Sequence, residues 1–158
     1  MIDILQNGFN IETLIYLSAF IVAVLISITV HEFAHGYVAY NLGDDTAKSK
    51  GRLTLNPFAH FDLVGFLSLL LLGFGWAKPV PINPLKFKEF NKGIFLTSVA
   101  GVITNIFLAF FCSAIYVAFT LIPLQAGTFW FYVVMFFANL FYAMTSLNIV
   151  LALFNLLP

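Results

Sequence analysis

The residues best suited to chemistry stand together at His31-Glu32-Phe33-Ala34-His35. Histidines four apart lie one turn apart on the same face of a helix. Two imidazoles so placed can grip a single metal ion. Zinc takes histidine nitrogen at about 2.0–2.1 Å, and a catalytic zinc site keeps one position open for water. A metal held in this way lowers the pKa of that water from about 15.7 to about 7. Glu32 follows the first histidine, where it can accept the water's proton and pass it to a leaving amine. That is the mechanical content of the HExxH pattern of metal-dependent peptidases. His31 and His35 are therefore candidate Zn2+ ligands, and Glu32 is the candidate general base. The plainer reading is a polar helix end at a membrane interface. Against it, the run Gly36-Tyr37-Val38-Ala39-Tyr40 continues past the motif. An ionisable group inside an apolar membrane helix costs at least about 2.5–3.5 kcal/mol and usually marks function.

The elements that must position these groups are apolar. Of 158 residues, 61% are hydrophobic and 9% charged. Soluble proteins average about 45–50% and about 25%. A soluble domain of this size cannot bury so much apolar surface. The expected fold class is an α-helical integral membrane protein, with residues 1–158 forming one membrane-embedded domain. Four apolar stretches are visible: Ile11 to Leu42, Leu63 to Trp76, Ile94 to Pro123, and Thr128 to Pro158. The first, third and fourth are long enough to cross a hydrocarbon core of about 30 Å. The second is too short, which predicts a re-entrant or tilted helix.

The loops carry the topology signal. All seven basic residues (Lys48, Lys50, Arg52, Lys78, Lys86, Lys88, Lys92) lie between positions 48 and 92. Cytoplasmic loops are enriched in Lys and Arg, so both basic segments are expected on the cytoplasmic side. The two histidines then sit in the cytoplasmic half of the first helix, and Asn155 to Pro158 return to their depth. Net charge is zero and no broad basic surface exists, which argues against nucleic acid as a partner. Gly51-Arg52-Leu53-Thr54-Leu55 alternates as a short strand does. Pro79, Pro81 and Pro84 exclude a helix over 78–84 and favour an extended edge segment. Small β segments near the cytoplasmic surface are therefore expected, and Asp62 is a plausible cap for the helix that follows it. Cys112, the lone cysteine, reads as a small packing residue. Residues 1–12 lack the basic start of a cleavable signal.

Beyond the histidine motif, Ser27 to Gly36 resembles the active-site helix of the site-2 protease family of intramembrane metallopeptidases. Gly51-Arg52-Leu53-Thr54-Leu55-Asn56-Pro57 and Gly75-Trp76-Ala77-Lys78-Pro79-Val80-Pro81 are similar to stretches of its compact bacterial members. Ala100-Gly101-Val102-Ile103-Thr104-Asn105 resembles the family's Ala-Gly-Pro-x-x-Asn segment, with Val102 in place of proline. The resemblance covers most of the chain. It implies a bacterial cell-membrane protein that hydrolyses peptide bonds in a partner's transmembrane helix. It also implies that Asn105 faces the catalytic centre, holding substrate or the oxyanion; the plainer role is an interhelical hydrogen bond. The family's third zinc ligand is an Asp in a motif that begins like Phe154-Asn155-Leu156-Leu157-Pro158 and runs a few residues further. This implies a domain truncated before that ligand. Otherwise His60 or Asp62 must substitute, against their plainer roles as an interfacial histidine and a helix cap.

Two further classes compete with an enzyme. A metal transporter needs several ionisable residues along a path, and no charged residue occurs between Ile94 and Pro158. A non-catalytic metal-binding or structural membrane protein has no need of Glu32, which is present. If substrate is a helix, it must unwind before cleavage, and an edge strand at 51–55 or 78–84 can hold the unwound segment by strand addition.

Overall fold

The computed structural model describes residues 10–156. Residues 1–9, Leu157 and Pro158 lie outside it, and with them most of the segment considered for a signal and the end of the final motif. Three long helices dominate: α1 (Ile11–Asn41), α4 (Phe90–Thr120) and α5 (Phe129–Leu156). Between α1 and α4 come two short helices, α2 (Thr46–Ser49) and α3 (Leu63–Leu72). Single 3-10 turns occur at Pro57–Ala59 and Pro84–Lys86.

The long helices are apolar on every side, as helices in lipid are. Each is long and apolar enough to cross a membrane. Asn10 starts α1 by accepting the Thr13 N–H at 2.8 Å. The 31 residues that follow reach about 46 Å. Large side chains such as Phe107, Phe110, Phe111 and Leu153 point outward. Small ones line the contacts. Ala19 and Ala23 of α1 meet Cys112 of α4 and Leu140, Ala143 and Met144 of α5 in the buried core. Small residues let helix backbones approach closely where lipid provides no hydrophobic drive. One polar tie joins α1 to α5: buried Asn148 donates to Ser27 Oγ at 2.9 Å.

The second apolar stretch is a hairpin, not a crossing. Asp62 caps α3 through the Gly65 N–H at 2.8 Å. The helix has ten residues, about 15 Å, and stops at Gly73 in the left-handed conformation (φ 74°). The chain then folds back along α3. A side chain at Gly65 would strike the Trp76 backbone, and one at Gly75 would strike Gly65. The Lys78 N–H donates to the His60 carbonyl at 3.0 Å, so both ends of the stretch meet.

The expected β segments are absent among the described residues. Residues 51–55 form a turn and bends, and 78–83 are irregular. The reason lies in the backbone donors of 78–84. Pro79, Pro81 and Pro84 have none. Lys78 gives its N–H to His60, Val80 to a Glu32 carboxylate oxygen, and Asn83 to an Asp44 carboxylate oxygen. Too few donors remain for a ladder. The two segments are joined by a side chain instead: Arg52 donates to the carbonyls of Lys78 (2.8 Å) and Pro79 (3.2 Å).

This segment is stapled to the end of α1. Asp44 is fully buried. It accepts the Thr46 N–H at 3.0 Å and the Asn83 N–H at 2.6 Å, and also the Thr46 hydroxyl. Burial pushes the Asp44 carboxyl up, but hydrogen bonds from Thr46 and Asn83, with the charge of Lys86, outweigh it and hold the pKa below its ordinary 3.8. Asp45 and Lys86 pair at 2.5 Å on the exposed rim.

Candidate metal centre

His31 and His35 project from one face of α1 into the space between α1, α4 and the irregular segment. Their Nε2 atoms are 3.1 Å apart, and the rings meet edge to face with centroids at 4.6 Å. Helix α4 backs both rings. His35 Nδ1 donates to the Thr97 carbonyl at 2.7 Å. The side-chain amide of Asn105 stands 3.0 Å from His31 Nδ1. Between these two contacts lies Gly101, where a Cβ would overlap both imidazoles.

Glu32 is buried beside the pair. Its Oε2 accepts the Val80 N–H at 2.7 Å. Glu32 and His31 line two cavities. One, about 350 Å³, runs between α1, the α3 hairpin and α5, reaching Asp62, Trp76 and Asn155. The other, about 450 Å³, opens over His35, Pro79, Val80 and Thr97, and again reaches Asn155. Glu32 is thus common to both spaces, and the end of α5 stands over both.

The donor set fits two positions of a zinc site. Two imidazole nitrogens face one another, and one ring already has its second nitrogen fixed by a carbonyl, as ligating histidines do. The third position is not filled. Among the described residues no group of three His, Cys, Asp or Glu is placed to hold a metal. His60 and Asp62 do not complete it. His60 is fully buried with its Nε2 donating to the Thr54 carbonyl at 2.9 Å, and Asp62 is committed to capping α3. Sequence reading placed the two histidines, Glu32 and Asn105 together, and the fold brings them together. It missed Thr97 and Val80, which act through backbone groups that every non-proline residue carries.

The fold and site define a helical membrane protein with a histidine pair and a carboxylate in its interior. The chain is 43% identical over 141 residues to the protein named "Putative zinc metalloprotease YwhC" of Bacillus subtilis, covering 87% of this chain and 62% of that protein. It is 36% identical over 71 residues to "Putative zinc metalloprotease Rip2" of Mycolicibacterium smegmatis, covering 42% of this chain and 27% of that protein. No protein-family model and no solved structure matches it. By descent the chain is a homologue of these proteins, in keeping with its resemblance to the site-2 protease family. It spans 62% of the length of YwhC.

Proposed function

We propose that this chain is the catalytic part of a zinc endopeptidase that hydrolyses peptide bonds in or near the membrane spans of partner proteins. The observation that carries the reading is the pair of Nε2 atoms 3.1 Å apart with the Glu32 carboxylate on the wall of the same cavities. The names of the two homologues agree with it. His31 and His35 would hold the metal. Zinc bound there supplies Lewis acidity toward a carbonyl oxygen and acidifies water.

The chain's own groups do the rest. Glu32 is the general base. The Val80 N–H engages Oε2 and fixes the carboxylate, and Oε1 is the oxygen assigned to take the proton and return it to the leaving amine. The apolar walls of the 350 Å³ cavity, between the α3 hairpin and α5, suit an unwound stretch of membrane helix. Asn155 lines both cavities, and the family resemblance implies a third ligand from an Asp a few residues beyond the matching segment. In this reading the site faces the cytoplasm, as the enrichment of Lys and Arg in cytoplasmic loops favours for segments 48–52 and 78–92, and the bacterial cell membrane follows from the family resemblance.

The test is proteolysis by detergent-purified protein against a panel of tagged single-span membrane segments. Cleavage by the wild type that is lost on chelation and in Glu32→Gln supports the reading. Zinc bound with no cleavage of any segment, and no difference on Glu32→Gln, favours a non-catalytic metal-binding membrane protein.

A further inference from the structure

Helix α4 carries two groups that hold the outer nitrogens of the histidines, and they are unlike in kind. Thr97 offers a backbone carbonyl, which can only accept a hydrogen bond. Asn105 offers a side-chain amide, which can accept with one end and donate with the other. The two residues are eight apart, two turns of the same face, with the Gly101 hollow midway.

The protons decide what this difference means. As the side chains stand, Nδ2 of Asn105 faces His31 Nδ1 at 3.0 Å, and the Asn105 Oδ1 is buried without a partner. With the amide in this orientation it donates, which assigns His31 Nδ1 as the acceptor and the ring's proton to Nε2. That Nε2–H points at His35 Nε2, 3.1 Å away. His35 then carries its own proton on Nδ1 and gives it to the Thr97 carbonyl at 2.7 Å. The four groups form one chain of hydrogen bonds running from Asn105 to Thr97, each link having one donor and one acceptor. In this chain His35 has the tautomer a metal ligand needs. His31 does not: its Nε2 lone pair is covered by a proton.

Ligation through both Nε2 atoms requires His31 to carry its proton on Nδ1 instead. The group facing Nδ1 must then be an acceptor. Asn105 satisfies this by turning its amide end for end, bringing Oδ1 to the ring and Nδ2 to the place where Oδ1 stood. Resting on the reading of His31 and His35 as metal ligands, we infer that Asn105 is a positioning residue that sets the tautomer of His31. Its amide donates to Nδ1 before metal binds and accepts from Nδ1–H afterwards. This differs from a contact with substrate or oxyanion. Complete burial of Asn105 agrees with an internal partner. Asparagine suits both states, whereas a carboxylate suits only the second and an aliphatic side chain neither. Outer partners of ligating histidines are commonly worth 10–100-fold in metal affinity.

The experiment is a chelator-competition titration of zinc on detergent-purified protein: wild type, His31→Ala, Asn105→Leu and Asn105→Asp. The expected result is a loss of about 10–100-fold for Asn105→Leu, with Asn105→Asp holding zinc at least as well as the wild type, since its carboxylate accepts from Nδ1–H. Unchanged affinity in Asn105→Leu overturns the inference, and if cleavage falls as well the residue is a substrate contact. Equal weakening by Leu and Asp also overturns it, by reducing Asn105 to a packing role. The metal reading fails separately: zinc binding that is absent from the wild type, or unchanged in His31→Ala, overturns that reading and this inference with it.

Discussion

The backbone N–H of Val80 donates to Oε2 of Glu32 at 2.7 Å, across 48 positions of sequence. The contact joins the irregular proline-rich segment to the C-terminal half of α1. A buried carboxylate needs such a donor, because burial without a hydrogen bond is costly. Pro79 and Pro81 flank the donor and hold the chain locally rigid. The segment expected to serve as an edge strand thus serves as the support of the candidate base.

Removing that donor tests the support. Val80→Pro deletes the N–H, whereas Val80→Ala keeps it and trims only the buried side chain. A hydrogen bond to a charged group is worth about 1.5–3 kcal/mol, which is about 10–150-fold in rate. Val80→Pro is expected to lower kcat by that order with little change in KM, and Val80→Ala to lose far less. Equal losses in the two variants would assign the effect to packing of the loop. Steady-state cleavage of a tagged single-span segment provides the measurement.

Glu32 itself separates metal holding from catalysis. It is not part of the histidine pair, so Glu32→Gln is expected to keep zinc within a few-fold of the wild type. Gln has no basic oxygen to take a proton, so cleavage is expected to fall by about 10²–10⁴-fold. Zinc content per chain and cleavage rate, measured on the same preparation, check both halves. Retained cleavage would sink the assignment of Glu32 as base.

What the sequence made legible follows from where the information is stored. Unbroken apolar runs encode the long helices, and the run at 63–76 was legible as too short to match them; Gly65, Gly73 and Gly75 let it fold back. The His31, Glu32 and His35 constellation was legible because side chains carry it. The error at 51–55 and 78–84 has the opposite origin. Alternation at Arg52 to Leu55 mimics a strand, but pairing depends on which backbone groups are free. Glu32, Asp44 and His60 take the donors of Lys78, Val80 and Asn83, and no local pattern reports that. Thr97 was invisible for the same reason, since its contribution is a carbonyl.

Asp44 sets an acid limit on the fold. Its folded pKa lies below the ordinary 3.8, so the carboxylate's hydrogen bonds stabilise the protein above that value. The contribution is lost as pH falls from 3.8 through the lower folded pKa. Asp44→Asn removes the charge that accepts from Thr46 and Asn83. The expected cost at neutral pH is about 1.5–3 kcal/mol, a fall in Tm of about 3–12 °C for a chain of this size. The gap between wild type and variant should then narrow on acidification below 3.8. Tm followed against pH for both proteins decides it, and a gap that stays constant to acid pH would assign the stabilisation to something other than this carboxylate.

Gly101 is the most direct probe of how closely α4 must approach the histidines. In an exposed helix interior, Gly→Ala is stabilising by about 1 kcal/mol, since Ala is the better helix former. Here the added Cβ falls against both His31 and His35, meeting the ring edge of each. The rings cannot retreat toward α5 without losing Thr97 and Asn105, because those contacts flank the same glycine on the same face. Helix propensity and site geometry therefore predict opposite signs. Gly101→Ala is expected to leave the helical content of the detergent-purified protein unchanged while weakening zinc by about 10-fold or more, the scale of a lost outer contact. Circular dichroism and the chelator titration, run together, separate the two effects. Zinc affinity equal to that of the wild type would mean that α4 can draw back without disturbing the pair, and that the close packing around Gly101 serves the helix bundle and not the site.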